Sequence, residues 1–206
     1  MAKDDWFRNE TWNDAIEAEF QQKLKRARDK SQYLRIQASY LAGTFPEVAL
    51  RLLDQYFLLG DHFDMAQAYV DKARALLSLD NVEEALVSYE AALAREQAYP
   101  NLKTGAYLDY VSLILAEKRV SLYPAALDVL NRNNDRLIFP IDRFRANGAR
   151  ALILQQMGAS TEARDAARLA VAATAETKSG FRFHPKIGLV KDRDSDFARQ
   201  IAALAK

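Results

Sequence analysis

The chain of 206 residues has no cysteine, two histidines, five prolines and seven glycines. Without cysteine there is no disulfide framework, no thiolate metal site and no cysteine nucleophile. Two histidines, His62 and His184, leave little room for a histidine-rich metal centre. No apolar run approaches the roughly 18 residues of a membrane span, and the opening MAKDDWFRNE lacks the apolar stretch of a signal peptide. A phosphate-binding glycine loop, a dinucleotide glycine fingerprint, a nucleophile elbow and a zincin helix are all missing from the sequence. The expectation is a soluble, cytoplasmic, non-catalytic protein with no cofactor, no bound metal and no membrane partner.

Half of the residues are hydrophobic and 35 are alanine, the best helix former. With so little glycine and proline, this composition predicts an all-α chain of one compact domain. The formal net charge is +1, but it is a sum of unlike parts. Residues 1–43 carry 8 basic and 7 acidic side chains, residues 44–131 carry 7 and 13, and residues 132–206 carry 14 and 8. Such segregation bears on steering and self-association rather than on fold.

Trp12, Ile16, Phe20 and Leu24 recur every four residues and predict a helix over about 12–29, with Thr11 or Asn13 as its cap. Paired helical stretches follow at about 31–43 and 46–59, 64–78 and 82–97, 102–118 and 123–133, and 141–157 and 160–177. Breaks at Gly43-Thr44, Gly60-Asp61, Leu79-Asp80-Asn81, Pro100-Asn101 and Gly158 separate them, with Ser160 or Thr161 as the last pair's inner cap. Beyond Gly180, a candidate left-handed cap, Phe181, Phe183, Ile187 and Leu189 are expected to run extended around Pro185. A final helix begins near Asp194 or Ser195, with Phe197, Ile201 and Leu204 on one face. It either folds back on the rest or stands free to bind something else.

Ala49, Ala85, Ala126 and Ala163 align the second helices at spacings of 36, 41 and 37 residues. A unit of that period cannot bury its apolar face alone and must stack on neighbours. In YVDKARALLSLDNVEEALVSYEAAL, Tyr69 and Leu76 alternate with the small Ala73, Ala85 and Ala92 in the pattern of a tetratricopeptide repeat (TPR), and the sequence resembles that family over residues 31–177. The first unit departs from the pattern by carrying Gln37 and Tyr56 at two positions normally small. The resemblance implies a right-handed α/α solenoid of about four helix pairs, with residues 1–30 and 178–206 supplying terminal capping helices. It also implies a concave groove that binds a protein or peptide partner. Groove positions fall on Ser31, Leu34, Arg35 and Ala38 in the first unit, on Gln67, Val70, Asp71 and Arg74 in the second, on Leu108, Val111, Ser112 and Leu115 in the third, and on Arg145, Gly148, Ala149 and Leu152 in the fourth. The lysine and asparagine that clamp a chaperone's C-terminal carboxylate in the family are replaced by Leu34 and Ala38, which argues against that partner.

Other constellations weigh less. His62, between Asp61 and Asp64, reads as a metal or acid/base site or, more simply, as turn and cap chemistry between units. His184, in FRFHPKIG, reads as part of a packed strap. The run KLKRARDK at residues 23–30 reads as a nucleic-acid patch or, more simply, as a solvated helix face. Arg143, Asn147 and Arg150 share one helix face by spacing and are candidates for an anionic ligand, with Arg182, Lys186, Lys191 and Arg193 extending the same basic region. Two functions therefore follow from the sequence: an adaptor or scaffold acting through its groove, with self-association as a variant, or binding of nucleic acid or another anion by the basic C-terminal third, nucleic acid being the weaker expectation.

Overall fold

In the computed structural model the described residues are 5–206; residues 1–4, the start of the polar opening, lie outside them. Among the described residues the protein is all-helical, with ten α-helices and no strand. They are α1 (Asp14–Arg26), α2 (Lys30–Leu41), α3 (Pro46–Leu58), α4 (Met65–Leu77), α5 (Val82–Ala98), α6 (Ala106–Ala116), α7 (Tyr123–Arg132), α8 (Pro140–Gln156), α9 (Ser160–Thr174) and α10 (Asp196–Leu204). None is long and apolar enough to cross a membrane. The chain divides into two compact units, one ending at Ala106 and one running from Tyr107 to Lys206.

Local chemistry explains the boundaries. The first amides of a helix have no internal partner, so a side-chain acceptor just before it stabilises the end. Asn13, Asp29, Asn81 and Ser195 each accept from a backbone N–H three residues on. Pro46 and Pro140 occupy first turns, where a missing N–H leaves nothing unpaired. At the end of α8, Gly158 adopts φ +82°, the left-handed conformation that closes a helix without a Cβ clash. Three expectations are corrected. Trp12 precedes α1 rather than starting it; Ala159, not Ser160 or Thr161, precedes α9 and offers no side-chain bond. Helix α9 ends at Thr174, so Gly180 (φ +85°) belongs to a later turn.

In the first unit α2 packs on α3, α3 on α4 and α4 on α5, with α1 against α2. Alanines 49, 68, 73, 75, 85 and 92 are wholly buried, which lets the helices approach closely while Leu41, Leu52, Leu53 and Leu76 fill the space between. The segment before α1 adds an aromatic cluster: Trp6 and Phe7 lie 4.9 and 4.7 Å from the Tyr33 ring, and Phe20 lies 5.3 Å from Trp6. Tyr69 stacks on Phe57 at 4.8 Å, so Tyr33 and Tyr69 are both packing residues.

The two departures from the small-residue pattern have a physical reason. Gln37 is fully buried and bonds Asn9 three times: its Oε1 accepts from the Asn9 backbone N (3.0 Å) and Nδ2 (2.8 Å), and its Nε2 donates to the Asn9 carbonyl (2.8 Å). A buried amide is tolerated only when its donors and acceptor are used. Tyr56, also fully buried, donates its hydroxyl to Asp64 at 2.7 Å.

In the second unit α8 packs on α9, and α10 lies across both. Ala146, Ala151, Ala163, Ala167 and Ala170 are fully buried. Helix α10 is not an appendage. Ile201 is fully buried, and Phe197 meets Phe144 edge-on at 5.4 Å. The contact depends on Gly148: a Cβ there would stand 2.5 Å from Ile201 Cδ1 and 2.6 Å from Phe197 Cζ. The segment between α9 and α10 is also not extended; turns fold it, with His184 N donating to Phe181 O and Ile187 N to His184 O.

Because Gly148 leaves no room for a side chain, Gly148→Leu should displace Phe197 and Ile201 and destabilise the protein by about 1–3 kcal/mol. Amides of α10 should lose hydrogen-exchange protection before those of α9; unchanged α10 protection would contradict this packing.

Candidate functional site

The groove positions of the first unit do not form an open surface. Leu34 and Val70 are buried within the core, and Asp71 is 1% exposed. This corrects the expectation that these residues face a partner. Arg35 on α2 reaches two carboxylates, donating through Nε to Asp64 and through Nη1 to Asp71 at 3.2 Å. Gln67, one helical turn before Asp71, donates to its other oxygen at 3.0 Å. The same Asp64 accepts the Tyr56 hydroxyl. The result is a largely shielded strut joining α2, α4 and the turn ahead of α4. Arg74 lies on the exposed side of α4 and has interactions of its own.

Burial sets the ionisation of this strut. It pushes the Asp71 carboxyl above its ordinary value of 3.8, against the opposing pull of the Gln67 amide and the Arg35 guanidinium. It also pushes the Tyr56 phenol up, reinforced by the hydrogen bond to Asp64, so the phenol remains a donor. His62 packs 5.2 Å from the Tyr56 ring, and its Nε2 is buried without a hydrogen-bond partner among the described residues. Among the described residues no group of three or more acidic or histidine side chains is arranged to hold a metal ion.

The anion-binding candidates in the second unit are also rearranged. Arg143 donates to both oxygens of Glu176, at 2.7 and 2.8 Å, and to the carbonyls of Leu137 and Ile138. Its charge is neutralised in place. Asn147 is buried and accepts from Arg150 at 2.7 Å. Arg150 donates also to Asn131, and burial lowers its pKa. The three share a helix face by spacing, and each is already engaged by a partner within the protein.

An accessible concavity does exist in the second unit. A cleft of about 760 Å³ is lined by Ser112, Leu115 and Ala116 of α6, by Lys118 and Val120 after it, by Tyr123 of α7, by Arg145, Leu152 and Gln156 of α8, and by Phe197 and Gln200 of α10. Its size lies within the range of small-ligand and peptide side-chain pockets. Four of these residues, Ser112, Leu115, Arg145 and Leu152, stand at sequence-expected groove positions, whereas Leu108, Val111, Gly148 and Ala149, expected there too, are buried and do not line it. Arg145 is held across the cleft, donating to Asp109 at 2.8 Å and to Ser112 at 3.2 Å. Lys118, exposed and with a left-handed backbone (φ +50°), makes no ion pair among the described residues. The lining is therefore mostly apolar, with Lys118 and Arg145 as its cations and no acidic side chain.

Sequence reasoning missed Ala116, Lys118, Val120, Tyr123, Gln156 and Gln200. Lys118 and Val120 sit at an irregular connection with no periodic signal, and Tyr123 opens α7. Gln200 follows Phe197 by three residues, so the face of α10 was readable, but not its destination.

Stability should register the strut through its pH dependence. A carboxyl whose folded pKa is raised holds its proton in the folded state where the unfolded chain has released it. Folding therefore loses stability as pH rises from about 4 through the raised value. Asp71→Asn cannot titrate, so the stability of the wild type minus that of the variant should fall with rising pH across this window. Urea unfolding at a series of pH values checks it, and a flat difference would contradict the assignment.

In comparison with known proteins, the chain matches no family model, no curated protein and no solved structure.

Proposed function

We propose that the chain is a cytoplasmic, non-catalytic adaptor of TPR-like repeats that binds a protein or peptide segment in the cleft of its second unit. In this reading the helices form a right-handed α/α solenoid of about four pairs, with α1 and α10 as terminal covers. The observation that carries the function is the coincidence of the open cleft with Ser112, Leu115, Arg145 and Leu152, which the family resemblance assigns to the concave face. The matching segment presents apolar side chains to Leu115, Val120, Leu152 and Phe197. An acidic group beside them meets Lys118, since opposite charge at a rim steers and orients a partner. The strut and the Arg143–Glu176 pair support a non-catalytic reading because their charged groups are engaged in holding helices.

Leu152→Asp and Lys118→Glu address the cleft without removing a fully buried side chain. Each should abolish or reduce by tenfold or more the recovery of a partner that wild type retains from native lysate. Circular dichroism should stay unchanged. Undiminished recovery by both folded variants would overturn the proposal.

A further inference from the structure

The segment between α9 and α10 carries a second surface, separate from the cleft. Residues 177–191, TKSGFRFHPKIGLVK, contain Lys178, Arg182, Lys186 and Lys191 and no acidic residue. Ser179, itself buried, pinches this segment into a loop. Its backbone N donates to Pro185 O at 2.9 Å, and its hydroxyl donates to His184 O at 2.8 Å and accepts from Phe181 N at 3.3 Å. The base of the loop is fixed to the start of α8: Phe181 stacks on Phe139 at 5.2 Å, and Ile141 N donates to Gly188 O at 2.8 Å.

This well-anchored loop exposes what a folded chain ordinarily hides. All eight residues from Gly180 to Ile187 are exposed. Phe183 is 81% exposed, and Phe181, Ile187 and the neighbouring Ile138 also project apolar surface. Contiguous exposed apolar groups rimmed by polar ones mark interaction surfaces. None of the four cations makes an ion pair among the described residues, and the Arg182 guanidinium stands 5.4 Å from the centre of the Phe183 ring. The nearest preceding acid in the chain, Glu176, is bound by Arg143.

We propose that this loop docks on a lipid bilayer surface rich in anionic phospholipid, with Phe183 and Ile187 entering the interface and Lys178, Arg182 and Lys186 meeting the headgroups. Binding of this kind combines buried apolar area with attraction to negative lipid. Single-stranded nucleic acid fits less well. It is held in a basic groove that tracks the backbone and offers rings for stacking, whereas the cations here sit on one short exposed loop and two of its apolar groups, Ile138 and Ile187, have no ring. The absence of a spanning helix has no bearing on surface docking.

The test is co-sedimentation of the full chain with vesicles of phosphatidylcholine alone and of equal parts phosphatidylcholine and phosphatidylserine. Wild type should sediment only with the second, and high salt should release it. Arg182→Gln and Lys186→Gln should each weaken binding about fivefold, and Phe183→Ser about tenfold. Lys103→Gln, an exposed cation in the other unit, should have no effect. Binding that ignores lipid charge, no binding at all, or full binding by Phe183→Ser would overturn the proposal. So would Phe183-dependent binding of an oligodeoxythymidylate without vesicle binding, which would assign the loop to nucleic acid.

Discussion

Close approach of helices through alanine and glycine is the constraint on which both units depend. A helix can lie against its neighbour at short range only where neither presents a large side chain. Alanines 73, 85 and 92 meet that condition between α4 and α5, and alanines 146, 151, 163, 167 and 170 do so around α8 and α9. Gly148 is the limiting case, since even one methyl would overlap Ile201 and Phe197. The larger residues then fill the remaining volume to the density of a packed interior.

Where the small-residue pattern is broken, polar chemistry takes over. Gln37 and Tyr56 bring an amide and a phenol into the first unit, and each is matched by a specific partner, Asn9 or Asp64. Arg35 then ties Asp64 to Asp71. A buried charge is stable only when paired and hydrogen-bonded, so these residues form one connected network. The consequence for function is negative in a useful sense: positions that would read a partner in an open groove are engaged within the protein. The surfaces proposed for binding lie instead in the second unit, in the cleft beside Lys118 and in the basic loop around Phe183.

The two proposed surfaces differ in character. The cleft is concave, mostly apolar and shaped by four helices and a connection. The loop is exposed, cationic and pinched together by Ser179. One would take a segment of another protein, and the other would set where in the cell that capture occurs. The net charge of +1 conceals this arrangement, because the basic excess of residues 132–206 is offset by acidic side chains elsewhere in the chain.

The sequence by itself determined the helices, their breaks and the small-residue positions. These are local properties: a four-residue stripe, a proline in a first turn or a cap three residues from an amide is legible from neighbours along the chain. Ser195 as the cap of α10, Pro46 at the start of α3 and the Ala85 alignment are of this kind. Only the tertiary structure decided which polar residues are engaged and which are free. Arg143 and Lys118 are both cations on or beside helices, yet one meets Glu176, thirty-three residues away, and the other meets no carboxylate among the described residues. Burial of Val70 beside the openness of Leu115, and the seating of α10 on Gly148, have the same origin. Each depends on what a distant segment brings to the site, and periodicity along one helix carries no record of that neighbour.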